Sequence, residues 1–222
     1  MSPEPTEDSG PAGDPRATYD RIAAHFSKTR EYAWPEVESF LDGRSARRAL
    51  DMGCGNGRHT EALAERADTV VGVDLSRGLL DEAVARARKR GFADAASFVH
   101  GDASALPVRD DAVGLAVYVA TLHHLAPRTA RVESLNELAR TLAPGGVALV
   151  SVWSTAHDRF DRDEGFDTTV DWTLPGGETV PRYYHIYSPE EFAADIEASA
   201  LETRHTEVSS GNCYATVSAP DS

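Results

Sequence analysis

Short apolar runs alternate with amphipathic stretches along most of this 222-residue chain. Arg47–Asp51, Thr69–Val73, Ser97–His100, Val113–Ala120 and Val147–Trp153 read as strands. Val113–Ala120 is almost wholly apolar, as a parallel strand covered on both faces requires. Between the strands the period lengthens. Arg58–Arg66 is helix-like, and Val132, Leu135, Leu138, Ala139 and Leu142 keep helical register from Arg128 until Pro144-Gly145-Gly146. Two helices are predicted ahead of the first strand. Ala17–Lys28 places Ile22, Ala23 and Phe26 on one face with Tyr19 a turn earlier, and Trp34-Pro35 opens a second helix through Leu41. Ser188-Pro189-Glu190-Glu191 is a capping box that starts a helix to about Ala198. Leu201–Glu207 and Asn212–Ser218 read as two last strands, antiparallel to each other.

Thr155–Tyr187 breaks this rhythm. It is polar, contains Pro175-Gly176-Gly177 and ends in the aromatic, basic cluster Arg182-Tyr183-Tyr184-His185. It is expected to be a long loop, of the kind that is either functional or disordered. The first residues, to about Pro15, hold four prolines and several acids with little to bury, and are expected to be disordered.

Composition narrows the class. The chain has no apolar run near the ~18 residues of a membrane span and no secretory signal pattern. Its two cysteines, Cys54 and Cys213, have no zinc-site spacing, so a reduced, cytoplasmic protein is expected. Net charge is −14, and only Lys28 and Lys89 of the 22 basic residues are lysine. That balance resembles proteins of salt-accumulating halophiles, in which concentrated salt screens self-repulsion. The acidity argues against broad nucleic-acid affinity without excluding RNA as a substrate.

Candidate chemistry centres on Asp51-Met52-Gly53-Cys54-Gly55-Asn56-Gly57, a glycine-rich turn between a strand and a helix. Glycines let the backbone approach a ligand, and the following helix offers unpaired N–H groups. Asp74 follows 23 positions after Asp51, at the end of the second strand, where doubly wound folds hold a ribose diol. Asp102 follows the third strand.

This D-x-G-C-G-x-G, G-x-D, G-D-A series resembles the class I S-adenosylmethionine-dependent methyltransferases. The resemblance implies an α/β fold: a seven-stranded, mostly parallel, doubly wound Rossmann-like sheet of order 3-2-1-4-5-7-6. It implies S-adenosyl-L-methionine as cofactor, with Asp74 on the ribose and Asp102 on the adenine amino group. The remaining cofactor-binding candidates are Tyr19, His25, Phe26, Asp51, Gly53, Cys54, Gly55, Gly57, Leu75, Ala103 and Ala120. The domain plan is an acidic tail over 1–16, then one methyltransferase domain over 17–222 with a helical lid (17–42) and an insert (154–187).

A narrower likeness rests on Tyr19–Arg30 with its H-F-S-K-T-R end, Trp34-Pro35, Thr121-Leu122-His123-His124-Leu125, Arg182-Tyr183-Tyr184-His185 and Gly211-Asn212. These resemble the tRNA wobble-uridine methyltransferases that esterify 5-carboxymethyluridine. Cys213 departs from the pattern, where tryptophan is expected. The likeness implies a tRNA anticodon loop as substrate. It also implies a small zinc-binding activator subunit pairing at the third-strand edge, near Phe92, Phe98 and Val99. The alternative is a small-molecule O- or C-methyltransferase with a quinone-like acceptor.

A carboxylate acceptor, pKa about 4, is already ionised at neutral pH and needs a cation rather than a base. Arg30 and Arg182 are the candidates, since a guanidinium fork fits a carboxylate; the alternative is a surface or ion-paired arginine. His123 and His124 follow the fourth strand, where one lines the acceptor pocket or both are packed. Tyr183 and Tyr184 either stack on a splayed base or pin the insert to the core. The run Arg86, Arg88, Lys89, Arg90 reads as a helix end complementing its dipole.

Overall fold

The computed structural model describes residues 14–220. Most of the expected acidic tail therefore lies outside the described residues. Helix α1 (Pro15–Lys28) begins a little earlier than expected, because the Asp14 carboxylate accepts from the Arg16 N–H at 2.9 Å and Pro15 fits the first turn. Helix α2 (Pro35–Leu41) follows. The chain then alternates: β1 (Ala46–Met52), α3 (Arg58–Ala64), β2 (Ala67–Asp74), α4 (Arg77–Arg90), β3 (Ala96–His100), β4 (Val113–Val119), α5 (Arg128–Thr141) and β5 (Leu142–Trp153). No helix among the described residues is long and apolar enough to cross a membrane.

Two elements depart from the expected pattern. Strand β5 starts at Leu142, before Pro144-Gly145-Gly146; Gly145 has φ +77° and the pairing with β4 shifts register there. The proline and glycines make an irregularity inside a strand instead of a gap before one. The larger difference is the insert. It is a paired antiparallel hairpin, β6 (Phe166–Thr173) and β7 (Thr179–Ile186), not a loop. Helix α6 (Pro189–Glu197) and strands β8 (Glu202–Ser209) and β9 (Asn212–Ser218) complete the chain.

Seven strands form one sheet in the order β3-β2-β1-β4-β5-β9-β8, parallel except for β9, which runs antiparallel to both of its neighbours. The order matches the expected one once the two hairpin strands are skipped in the count. Side chains alternate between two cores, as the strand period of two dictates. On one face Leu50, Ala116, Val150 and Cys213 pack with Leu135 and Leu138 of α5 and with Phe192 and Ile196 of α6. On the other Ala49, Leu115, Leu149 and Tyr214 pack with Val37, Phe40 and Leu41 of α2 and Leu63 of α3. The sheet thus holds the carboxyl ends of β1, β2, β3 and β4 side by side on a rigid base.

Candidate cofactor and acceptor site

A cavity of about 440 Å³ opens at those carboxyl ends. It is lined by Gly53, Cys54, Gly55, Asp74, Leu75, Asp102, Ala103 and Ala120 of the sheet ends, and by Tyr19 and Phe26 of α1. Ten of the thirteen residues expected around a cofactor therefore meet in one space.

The turn after β1 explains the cavity's shape. Gly53 has φ +73°, and a Cβ there would sit 2.2 Å from Thr121 Oγ1, so the strand can turn only with glycine. Gly55 has φ +54°, and within 4 Å its added Cβ would meet only Phe26 Cε1, at 3.9 Å. Its backbone is therefore bared to the cavity. The Gly55 N–H donates to Asp74 Oδ2 at 2.8 Å, and the Ser76 N–H donates to Oδ1 at 2.8 Å. These bonds fix the carboxylate while each oxygen keeps a second acceptor position. Burial pushes the Asp74 pKa up, against the lowering by these backbone bonds. Asp102 is exposed, with Oδ1 accepting from the Ser104 N–H and hydroxyl at 2.8 and 2.7 Å, which leaves Oδ2 for an amino group. A bared glycine backbone with two fixed carboxylates at the strand ends fits an adenosyl ligand.

The other three expected residues stand back from the cavity. Asp51 is 1% exposed and accepts from Thr60 Oγ1 at 2.6 Å behind the loop. Burial, foremost, pushes its pKa up to about 7. Gly57 is the left-handed N-cap of α3, close against Ala83. His25 belongs to the acceptor side.

Helix α1 is fastened over the cavity. Asp20 Oδ1 accepts from Ser76 Oγ at 2.7 Å and from the Gly78 N–H at 2.9 Å. Gly78 permits this, since a Cβ there would crowd Ala23 at 3.0 Å. Asn56, 2% exposed, donates to the Arg30 carbonyl at 2.8 Å. The segment after α1 is thereby tied to the glycine turn itself.

The hairpin contributes no residue to the cavity wall; it packs behind that wall, Trp172 on Phe26 and Tyr184 on His124, and it brings a residue that the sequence analysis did not single out. Trp172 Nε1 donates to His25 Nδ1 at 3.1 Å. The Arg30 guanidinium lies 5.6 Å from the Trp172 ring centre and the Arg182 guanidinium 4.9 Å from it. Both arginines expected to hold an anion thus converge on one indole. Period-two alternation through Val170 and Trp172, followed by the Pro-Gly-Gly turn, was the signal available for this hairpin. Arg182 is 8% exposed; its Nη1 donates to Tyr184 Oη at 2.7 Å, and its buried Nε has no partner among the described residues. An exposed ion pair between Arg21 and Glu178 latches the hairpin tip to α1.

The histidines are locked. His124 lines the cavity; its Nδ1 faces the Tyr183 carbonyl at 2.9 Å, so Nδ1 carries the proton and Nε2 accepts from Tyr19 Oη at 2.8 Å. Burial lowers its pKa to about 4 and raises that of Tyr19. His123 is buried behind it, with Nδ1 accepting from the Trp153 N–H at 3.0 Å, and burial holds its pKa well below the usual value. Both rings are therefore neutral at pH 7. Tyr184 packs against His123, His124 and Trp153 at 4.9, 4.4 and 5.4 Å, so it pins the insert to the core. Tyr183 Oη donates to Asp167 at 2.8 Å. His185 anchors the hairpin's base between Asp167 and Glu191, at 2.7 and 2.8 Å.

Comparison with known proteins agrees with this geometry. Residues 49–146 match the family model described as a methyltransferase domain. A protein of Encephalitozoon cuniculi provisionally named a methyltransferase is 34% identical over 180 residues, 78% of this chain and 79% of its own length. The tRNA (carboxymethyluridine(34)-5-O)-methyltransferase ALKBH8 of Mus musculus is 40% identical over 138 residues, 61% of this chain. That match spans only 19% of the mouse protein. Among solved structures, the complex between the Haloferax volcanii Trm112 methyltransferase activator and its provisionally assigned methyltransferase matches with a TM-score of 0.70 at 17% identity. It covers 94% of this chain and 99% of the matched chain, and shows the fold.

Proposed function

This chain belongs to the class I S-adenosylmethionine-dependent methyltransferases, and from that premise we propose that it methylates the carboxylate of a 5-carboxymethyl-type wobble uridine in tRNA. The bound cofactor supplies an electrophilic methyl group on a sulfonium. Asp74 and Asp102 would hold its ribose and adenine, and the Gly53–Gly55 backbone would face the methionyl chain beyond the ribose.

One observation carries the choice of acceptor. The acceptor side offers an arginine with an unpaired Nε and two histidines kept neutral by burial, whose acceptor nitrogens are already taken by the Tyr19 hydroxyl and the Trp153 N–H. An amine or carbon nucleophile needs a base within reach. A carboxylate does not; it needs orientation at about 3–3.5 Å from the methyl and a cation to hold it. Arg182, stacked on Trp172 and Tyr184, supplies a positioned guanidinium, and Arg30 faces the same ring. The named activity of the mouse relative points the same way.

The rest of the proposal follows from the same likeness. A small zinc-binding activator pairs with the free edge of β3, beside Phe92, Phe98 and Val99, giving a cytoplasmic heterodimer. The acid excess of the chain makes folding depend on concentrated salt, which thermal unfolding across a salt series tests. A small-molecule acceptor is the second reading, favoured by a cavity of about 440 Å³ whose acceptor-side wall carries the aromatic rings of Tyr19 and Phe26.

The deciding experiment incubates the chain and its activator with tRNA carrying 5-carboxymethyluridine. Methyl ester formed there, and absent from tRNA lacking the carboxymethyl group, supports the proposal. Turnover of a quinone-like acceptor with none on tRNA sinks it.

A further inference from the structure

Three features come together where the ends of α1 and α4 meet. The first is charge. In a chain of net −14, residues 86–90 carry Arg86, Arg88, Lys89 and Arg90 with no acid among them. The second is convergence. Glu31, just past α1, receives Arg86 at its carbonyl and Arg90 at its carboxylate, 2.9 Å away, so the basic ends of α1 and α4 lie together; Arg86 also pairs with Glu61 at 2.7 Å, so these two arginines join the ends and the lysines carry the face's open charge. Lys28 and Lys89, the only lysines of the chain, are both exposed on those two ends. The third is Tyr32, one of two large hydrophobic residues exposed among the described residues, with 70% of its surface free.

A helix dipole accounts for cations at one helix end. It does not account for a second basic end joined to the first, or for a bare tyrosine next in the chain to the Glu31 that joins them. Nor is Tyr32 on a loose loop. Asn56 holds the Arg30 carbonyl on one side of it, and Arg58 stacks on Trp34 at 5.1 Å on the other. The loop also runs directly from Arg30, which faces Trp172 at the acceptor side.

We propose that this face, Tyr32 with Lys28 and Lys89, docks the tRNA: the cations on phosphates and the phenol ring on an unstacked base. The inference rests on the functional reading above and extends it from the reacting uridine to the rest of the anticodon arm. Single-stranded RNA is gripped by this combination, a basic track with a stacking ring beside it. At high salt, where phosphate attraction is screened, the stacked ring carries the larger share.

The test measures KM and kcat for carboxymethylated tRNA with the chain and its activator. Tyr32→Ala is expected to raise KM about ten-fold with kcat within about two-fold, while Tyr32→Phe stays near wild type because a phenyl ring still stacks. Lys28→Glu with Lys89→Glu is expected to raise KM and to lower the slope of log KM against log salt by about 2. Thermal unfolding shows that the variants are folded. If wild type methylates tRNA and all variants keep its KM and salt slope, the docking inference is overturned while the function stands. It is equally overturned if the variants lose only the activator, which makes the face a protein interface. A wild type that neither binds nor methylates tRNA overturns the functional reading, and this inference falls with it.

Discussion

Trp172 Nε1 donates to His25 Nδ1 at 3.1 Å, joining two residues 147 positions apart. This bond ties the hairpin of the insert to the first helix. It also sets the indole where Arg30 and Arg182, the two arginines proposed to hold the acceptor, reach it. The proposed acceptor side exists only because these two elements, neither part of the central sheet, meet beside the cavity wall formed by Tyr19, Phe26 and His124.

Replacing Trp172 should therefore disorganise the acceptor side and spare the cofactor side. Each guanidinium–indole contact contributes about 0.5–2 kcal/mol. Trp172→Ala is expected to lower kcat/KM about ten- to hundred-fold with cofactor affinity unchanged. Trp172→Phe, which keeps a ring and loses the N–H, should fall between. Steady-state kinetics paired with calorimetric cofactor titration reads both.

Arg182 is the guanidinium with a free donor. Arg182→Ala should cost about 3 kcal/mol of transition-state stabilisation, about a hundred-fold in kcat/KM. Arg182→Lys should recover little, since an ammonium has no planar fork and stacks poorly on indole. An Arg182→Ala enzyme with wild-type turnover removes this residue from the mechanism.

Gly53 and Gly55 predict a contrast. Gly53→Ala drives a methyl into Thr121, so it should unfold at clearly lower temperature. Gly55→Ala meets only a ring atom at 3.9 Å and should cost about 1 kcal/mol for its positive φ. Yet that methyl projects where the ligand passes, so Gly55→Ala should stay folded and lose cofactor affinity. Melting curves with and without cofactor separate the two.

His124 predicts an acid limb. Its folded pKa, about 4, lies below the ordinary histidine value near 6.5. Between those values the unfolded chain binds the proton and the folded chain does not. Stability is thus full above about 6.5 and falls as pH drops toward 4. His124→Asn should flatten that fall by up to about 1.4 kcal/mol per pH unit. Chemical denaturation at a series of pH values checks it; an unchanged slope contradicts the neutral, buried ring.

The sheet and the cofactor half of the site were legible in the sequence because local patterns specify them. Apolar runs of strand length, three glycines after β1 and an aspartate at the end of each of the next two strands all lie in short segments. The acceptor half was legible only as residue types. Arg30 and Arg182 were named, but nothing local says that both stack on Trp172. The hairpin was missed because the period-two pattern of β6, Phe166, Val170 and Trp172, is broken by Thr168 and diluted by Thr and Asp, and its small core around Val170, Tyr184 and Ile186 is completed by Trp153 and Phe160 from outside the hairpin. Its turn, where the Gly177 N–H donates to the Leu174 carbonyl at 3.0 Å, read as a loop for the same reason. His123 and His124 were left open between packing and chemistry. Only the fold decides it: burial keeps both rings neutral, and the partners Trp153, Tyr183 and Tyr19 engage their nitrogens.

The central claim is the acceptor: a carboxylate on a wobble uridine. The most direct measurement is nucleoside mass spectrometry of tRNA from cells lacking this gene. The account predicts that the methyl ester of 5-carboxymethyluridine disappears and the free acid accumulates. An unchanged nucleoside profile would contradict it, and would turn the enclosed cavity toward a small-molecule acceptor.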